Sequence, residues 1–132
     1  MIIIDTETAE RDYKKFVETL NLSDLKLAKL EEEKGALVQL IEYGYLEIGE
    51  EIVYNLEVPF AKGQEMVTTL IFKNRRFTLD EVDKYTAGSK SDIETSRRLL
   101  SALVCTNSAL LKGLDSEDFV NLGKISAFFL PR

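Results

Sequence analysis

A mainly helical α+β fold is what this sequence predicts, and three observations predict it. Apolar residues recur at the helical interval in the N-terminal part, alternate in the middle, and return to the helical interval towards the end. The composition, 45% hydrophobic and 30% charged, is that of an ordinary globular domain and excludes a largely disordered chain. With 132 residues, the chain can bury roughly two thirds of its unfolded surface, so it needs no disulfide or metal staple. The expected order is two N-terminal helices, one β-hairpin and three C-terminal helices. These group as an N-terminal helical part (1–49) and a hairpin-plus-helix domain (50–132).

The first helix opens at Thr6, with Glu7 and Glu10 near its positive end, and carries Ala9, Tyr13, Phe16, Val17 and Leu20 on one face. Asn21 to Ser23 break it. Ser23 then caps a second helix with Leu27, Leu30, Leu37 and Ile41 at helical spacing, interrupted by Lys34, and Gly44 stops it. In the middle, Ile52, Tyr54, Leu56 and Val58 alternate with Val53, Asn55 and Glu57, which is strand period. Pro59 is expected to end that strand, Lys62-Gly63-Gln64 to turn the chain, and Met66 to Phe72 to form the return strand.

The C-terminal helices have their own signals. Thr78 followed by Glu81 is a capping-box pair, and Gly88 closes that helix. Ser91 starts the next, with Ile93, Leu99, Leu100, Leu103 and Val104 expected to face inward. Asp115 or Ser116 caps the last, whose stripe is Phe119, Leu122, Ile125 and Phe129, with Pro131 preventing continuation.

The chemistry is defined largely by what the chain lacks. It contains no histidine and one cysteine, which removes a Ser-His-Asp triad, a Cys-His pair and a four-ligand structural zinc site. No glycine-rich phosphate loop or EF-hand pattern occurs, and Cys105 is expected as a buried, inert thiol. The acidic groups, Glu31-Glu32-Glu33, Glu50-Glu51, Asp80-Glu81-Asp83 and Asp115 to Asp118, fit solvated faces and helix starts better than acid–base catalysis. A formal charge of −6 opposes attraction to phosphate backbones and anionic membranes. The basic run Lys73-Asn74-Arg75-Arg76 directly follows a strand, where charge blunts an edge, and Arg97-Arg98 are expected on the wet side of their helix. No apolar stretch has the length of a membrane span or an export signal, so the expected location is a reducing cytoplasm.

The middle and C-terminal parts resemble the tail assembly chaperones of tailed bacteriophages, especially contractile-tailed phages and prophages. The likeness is carried by Val53 to Pro59, the return strand Leu70-Ile71-Phe72-Lys73-Asn74-Arg75-Arg76, and the helix start Phe77-Thr78-Leu79-Asp80-Glu81-Val82. It continues in Arg98-Leu99-Leu100-Ser101-Ala102-Leu103 and in the closing Leu114-Asp115-Ser116-Glu117-Asp118-Phe119, Leu122, Ile125, Phe128-Phe129-Leu130. This resemblance implies a role in virion assembly and not a reaction: binding the tape measure protein, with the tail tube protein as a second partner, in the bacterial host cytoplasm. No enzyme activity, cofactor, metal, nucleic acid or membrane is expected, and self-association into a homo-oligomer stays open. The helical client implied calls for available apolar surface. The candidates are Leu27, Leu30, Leu37 and Ile41 in the N-terminal part and Phe128, Phe129 and Leu130 at the end. The rival reading is an acidic interaction protein that mimics nucleic acid or inhibits a nucleic-acid enzyme.

Overall fold

The structure, a computed structural model, describes residues 2–130. It is α+β and mainly α, in the order α1 (Thr6–Thr19), α2 (Asp24–Lys29), α3 (Glu31–Glu42), β1 (Leu46–Ile48), β2 (Ile52–Lys62), β3 (Glu65–Phe72), α4 (Leu79–Thr86), α5 (Asp92–Leu103), a 3₁₀ turn (Leu110–Gly113) and α6 (Ser116–Ser126).

Asp5 rather than Thr6 caps α1, its carboxylate accepting from the Thr8 N–H at 2.8 Å. A carboxylate brings full charge as well as an acceptor to the positive end of a helix, so it displaces the neighbouring hydroxyl. Hydrogen bonds from Thr8 hold the Asp5 carboxyl below its usual range. The Thr6 hydroxyl instead donates to Glu42 at 2.7 Å, joining the start of α1 to the end of α3.

The single second helix expected from Ser23 onward is two helices, broken at Leu30. The Leu30 N–H is shared between the carbonyls of Lys26 and Leu27, both at 3.1 Å. Glu31, Glu32 and Glu33 fill the first turn of α3, where three adjacent negative charges are better tolerated than in the middle of a continuous helix. Gly44 ends α3 at φ +82°, with the Tyr45 N–H reaching back to Leu40 O at 2.9 Å. A side chain there would be strained by the backbone and would meet Ile3 Cδ1 at 2.7 Å.

The hairpin is present but gains a partner and loses a boundary. Strand β1, which the helical reading of the N-terminal part did not anticipate, pairs antiparallel with β2 through Leu46–Tyr54, Glu47–Val53 and Ile48–Ile52. The sheet order is β1-β2-β3. Pro59 does not end β2. The register holds from Ile52–Phe72 to Asn55–Thr69, then resumes at Phe60–Val67, leaving Leu56 to Pro59 opposite Thr68 alone. Proline lacks the N–H a ladder requires, and a bulge is where its absence does no harm.

That bulge is secured from outside the sheet. Asp118, fully buried in the first turn of α6, accepts from the Glu57 N–H at 3.1 Å, the Val58 N–H at 3.0 Å and the Tyr54 hydroxyl at 2.7 Å. One carboxylate therefore satisfies two amides that the irregular register releases, and it sits where the α6 dipole favours negative charge. Burial and the Asp118 hydrogen bond push the Tyr54 hydroxyl well above its ordinary pKa.

The C-terminal residues close the core. Phe128 and Phe129 are fully buried, their rings 5.5 and 5.9 Å from that of Phe16, and Phe129 stacks on Phe72 at 5.1 Å. One cluster of buried side chains thus runs from Ala9 to Phe129. The expected division after residue 49 falls between β1 and β2, inside the sheet. Pro131, expected as a helix stop, lies outside the described residues.

Candidate functional site

Helices α5 and α6 lie side by side with an apolar trough between them. Ser91 caps α5 by accepting from the Glu94 N–H at 3.1 Å, and Asp115 caps α6 by accepting from the Glu117 N–H at 3.1 Å. The inward sides of the two helices, Leu100, Leu103, Leu122 and Ile125, belong to the core. Phe119 and Leu99 are half-buried, while Val120 is 54% and Ile93 67% exposed.

Half-buried Phe119 divides this trough into two hollows. One, of about 220 Å³, lies among Leu99, Leu100, Val120, Gly123 and Leu130. The other, of about 230 Å³, lies among Ile93, Arg97, Leu111, Lys112 and Leu114. Gly123 keeps the first hollow open, since nothing stands within 4 Å of where its side chain would begin. Ile93, expected on the inward face of α5, forms instead an exposed lip of the second hollow. Arg97, expected in solvent, is half-buried, and its Nε is enclosed with no hydrogen-bond partner among the described residues. The adjacent Arg98 is engaged at both terminal nitrogens, donating to Glu94 at 2.7 Å and to Ala87 O at 2.6 Å.

The partner-binding candidates from sequence divide differently. Leu30, Leu37, Ile41, Phe128 and Phe129 are sealed in the core and present no surface to a partner. The same periodicity serves a buried stripe and an exposed one; here α1 packs along α3, and Phe16 and Phe72 cover Phe128 and Phe129. Leu27 is half-buried beside a shallow hollow shared with Tyr13 and Val17. Leu130 alone of the seven lines the trough. Its carbonyl accepts a hydrogen bond from Lys26 Nζ, which fastens the end of the trough to α2.

Other chemistry-bearing groups are dispersed. Cys105 is exposed rather than buried: it follows the end of α5 at φ +53°, so the expected inward helical face does not extend to it. Asp80, Glu81 and Asp83 rim an open hollow on α4, and Glu81 is already engaged by Arg75 at 2.8 Å and by the Thr78 capping box. Among the described residues, no group of three or more His, Cys, Asp or Glu side chains is placed to hold a metal ion. No helix among them is long and apolar enough to cross a membrane.

The chain matches no protein-family model, no curated protein and no solved structure.

Proposed function

We propose that this protein is a tail assembly chaperone that binds a helical segment of a tape measure protein in the α5–α6 trough and keeps that client soluble while the tail tube assembles. The observation that carries this reading is the unfilled apolar trough itself. Exposed Ile93 and Val120 flank half-buried Phe119 and leave apolar surface open to solvent. Leaving such surface in water forgoes roughly 25 cal/mol per Å² of apolar area, which a partner helix would recover on docking. The segments that carry the resemblance to tail assembly chaperones supply part of this surface: Arg98 to Leu103 lies on α5 and contributes Leu99 and Leu100, and Leu114 to Leu130 contains α6.

The test is co-expression with a candidate tape measure protein, followed by client solubility and pull-down. The expected result is a soluble complex that Val120→Glu disrupts. A client whose solubility is unchanged, with no complex formed, would remove the chaperone reading.

A further inference from the structure

The second hollow of the trough has a polar feature that an all-apolar client would leave unanswered. Its charged lining residues among the described residues are Arg97 and Lys112, both cations, in a chain whose formal net charge is −6. Arg97 lines this hollow half-buried, and its side chain makes no hydrogen bond or ion pair among the described residues. A guanidinium set beside apolar side chains and left without a partner suits a carboxylate above all other groups. The nearest acid on the same helix, Glu94, is already held by Arg98 at 2.7 Å and by the Lys90 N–H at 3.1 Å. Its carboxyl lies below the usual range because of the Lys90 N–H and, to a smaller extent, both arginines.

Resting on the trough as the client site, we infer that Arg97 receives an aspartate or glutamate side chain of the bound helix. The recognised segment is then amphipathic and acidic. Two apolar anchors fill the hollows on either side of Phe119, and a carboxylate lies within one turn of the anchor that enters the Ile93–Leu111 hollow. Ile93 and Leu100 mark the two hollows on α5 and are two helical turns apart, roughly 10 Å at 1.5 Å per residue. The client's anchors accordingly stand about seven positions apart in its own helix. Pairing with Arg97, which lines one hollow and not the other, also fixes the direction in which that helix lies.

The experiment uses the full chain and fluorescently labelled 20-residue peptides tiled across the tape measure protein. Captured peptides are expected to share the acid-plus-anchors pattern. Arg97→Gln should weaken them roughly ten- to a hundredfold, with an unchanged thermal midpoint and partial recovery in Arg97→Lys. Changing the peptide's acid to its amide should cost as much on the unaltered chain, yet cost little more on Arg97→Gln. That coupling is one a merely structural arginine would not produce, and the peptide-side loss is measured whether or not the variant folds. Peptides captured without an acid, or with equal amide costs on both proteins, would overturn the Arg97 assignment and leave the trough as client site. Binding that survives Val120→Glu would place the client elsewhere and overturn both, as would the failure of every peptide and of the intact client to bind.

Discussion

The inner and outer sides of α6 are made of similar residues and meet opposite fates. On the inner side, Asp118, Leu122 and Ile125 are fully enclosed by the sheet and neighbouring helices. On the outer side, Val120 and Gly123 are open to solvent and Phe119 is only half-covered. The inner side also contains the fold's most demanding polar contact, the three hydrogen bonds to Asp118, whereas the outer side meets an arginine with an unanswered donor. Polar and apolar demands are both met within the core and both left unmet on the trough.

Substitutions can break this comparison, and the largest effects belong to the inner side. Phe129→Ala removes a ring packed on Phe16 and Phe72 and should cost about 3–5 kcal/mol, measured by urea unfolding. Asp118→Ala strands the Glu57 and Val58 amides and the Tyr54 hydroxyl. It should cost about 3 kcal/mol, with faster hydrogen exchange at residues 56–59 than elsewhere in the sheet. Val120→Glu, on the outer side, should change stability by no more than about 0.5 kcal/mol while abolishing client capture. If it unfolded the protein, the outer side would be core and the contrast would collapse.

The smallest effect concerns α4, which has no fully buried residue and is held at its start by Glu81. A hydrogen bond from Arg75, followed by the Thr78 N–H, draws the Glu81 carboxyl down from 4.5 to about 2. Because the folded value is the lower one, the contribution is present above about pH 4.5 and is lost as pH falls towards 2. Hydrogen-exchange protection factors of the α4 amides, corrected for the intrinsic pH dependence, should fall selectively across that window. Glu81→Gln should show the acidic behaviour already at neutral pH.

Local features were legible in the sequence because their partners are neighbours in the chain. Ser23, Thr78, Ser91 and Asp115 act as caps because each reaches an amide two or three residues ahead, a relation that spacing alone displays. The hairpin was equally visible. Asp118 was not, since an acid in a first helical turn already has a sufficient local reason, and its partners stand 60 to 64 positions away. The trough was missed for a related cause. Periodicity shows that a helix has an apolar face, but the width of the neighbour covering it decides whether Ile93 and Val120 are inside or out. The one visible hint was Arg97 lying between Ile93 and Leu100 at helical spacing, a charge set into an otherwise apolar stripe.

The grip of Asp118 on the strand irregularity has a practical side for anyone labelling this molecule. Removing or adding a single residue between Asn55 and Phe60 would shift both amides off the carboxylate and loosen the attachment of α6 to the sheet. The hairpin tip carries no such obligation: Gly63 turns at φ +62° with open space around it. A fluorophore or epitope spliced in there should leave the Asp118 contacts undisturbed, and because Lys62 shares a hollow with Cys105 to Leu110, such a label would sit beside the segment that follows α5.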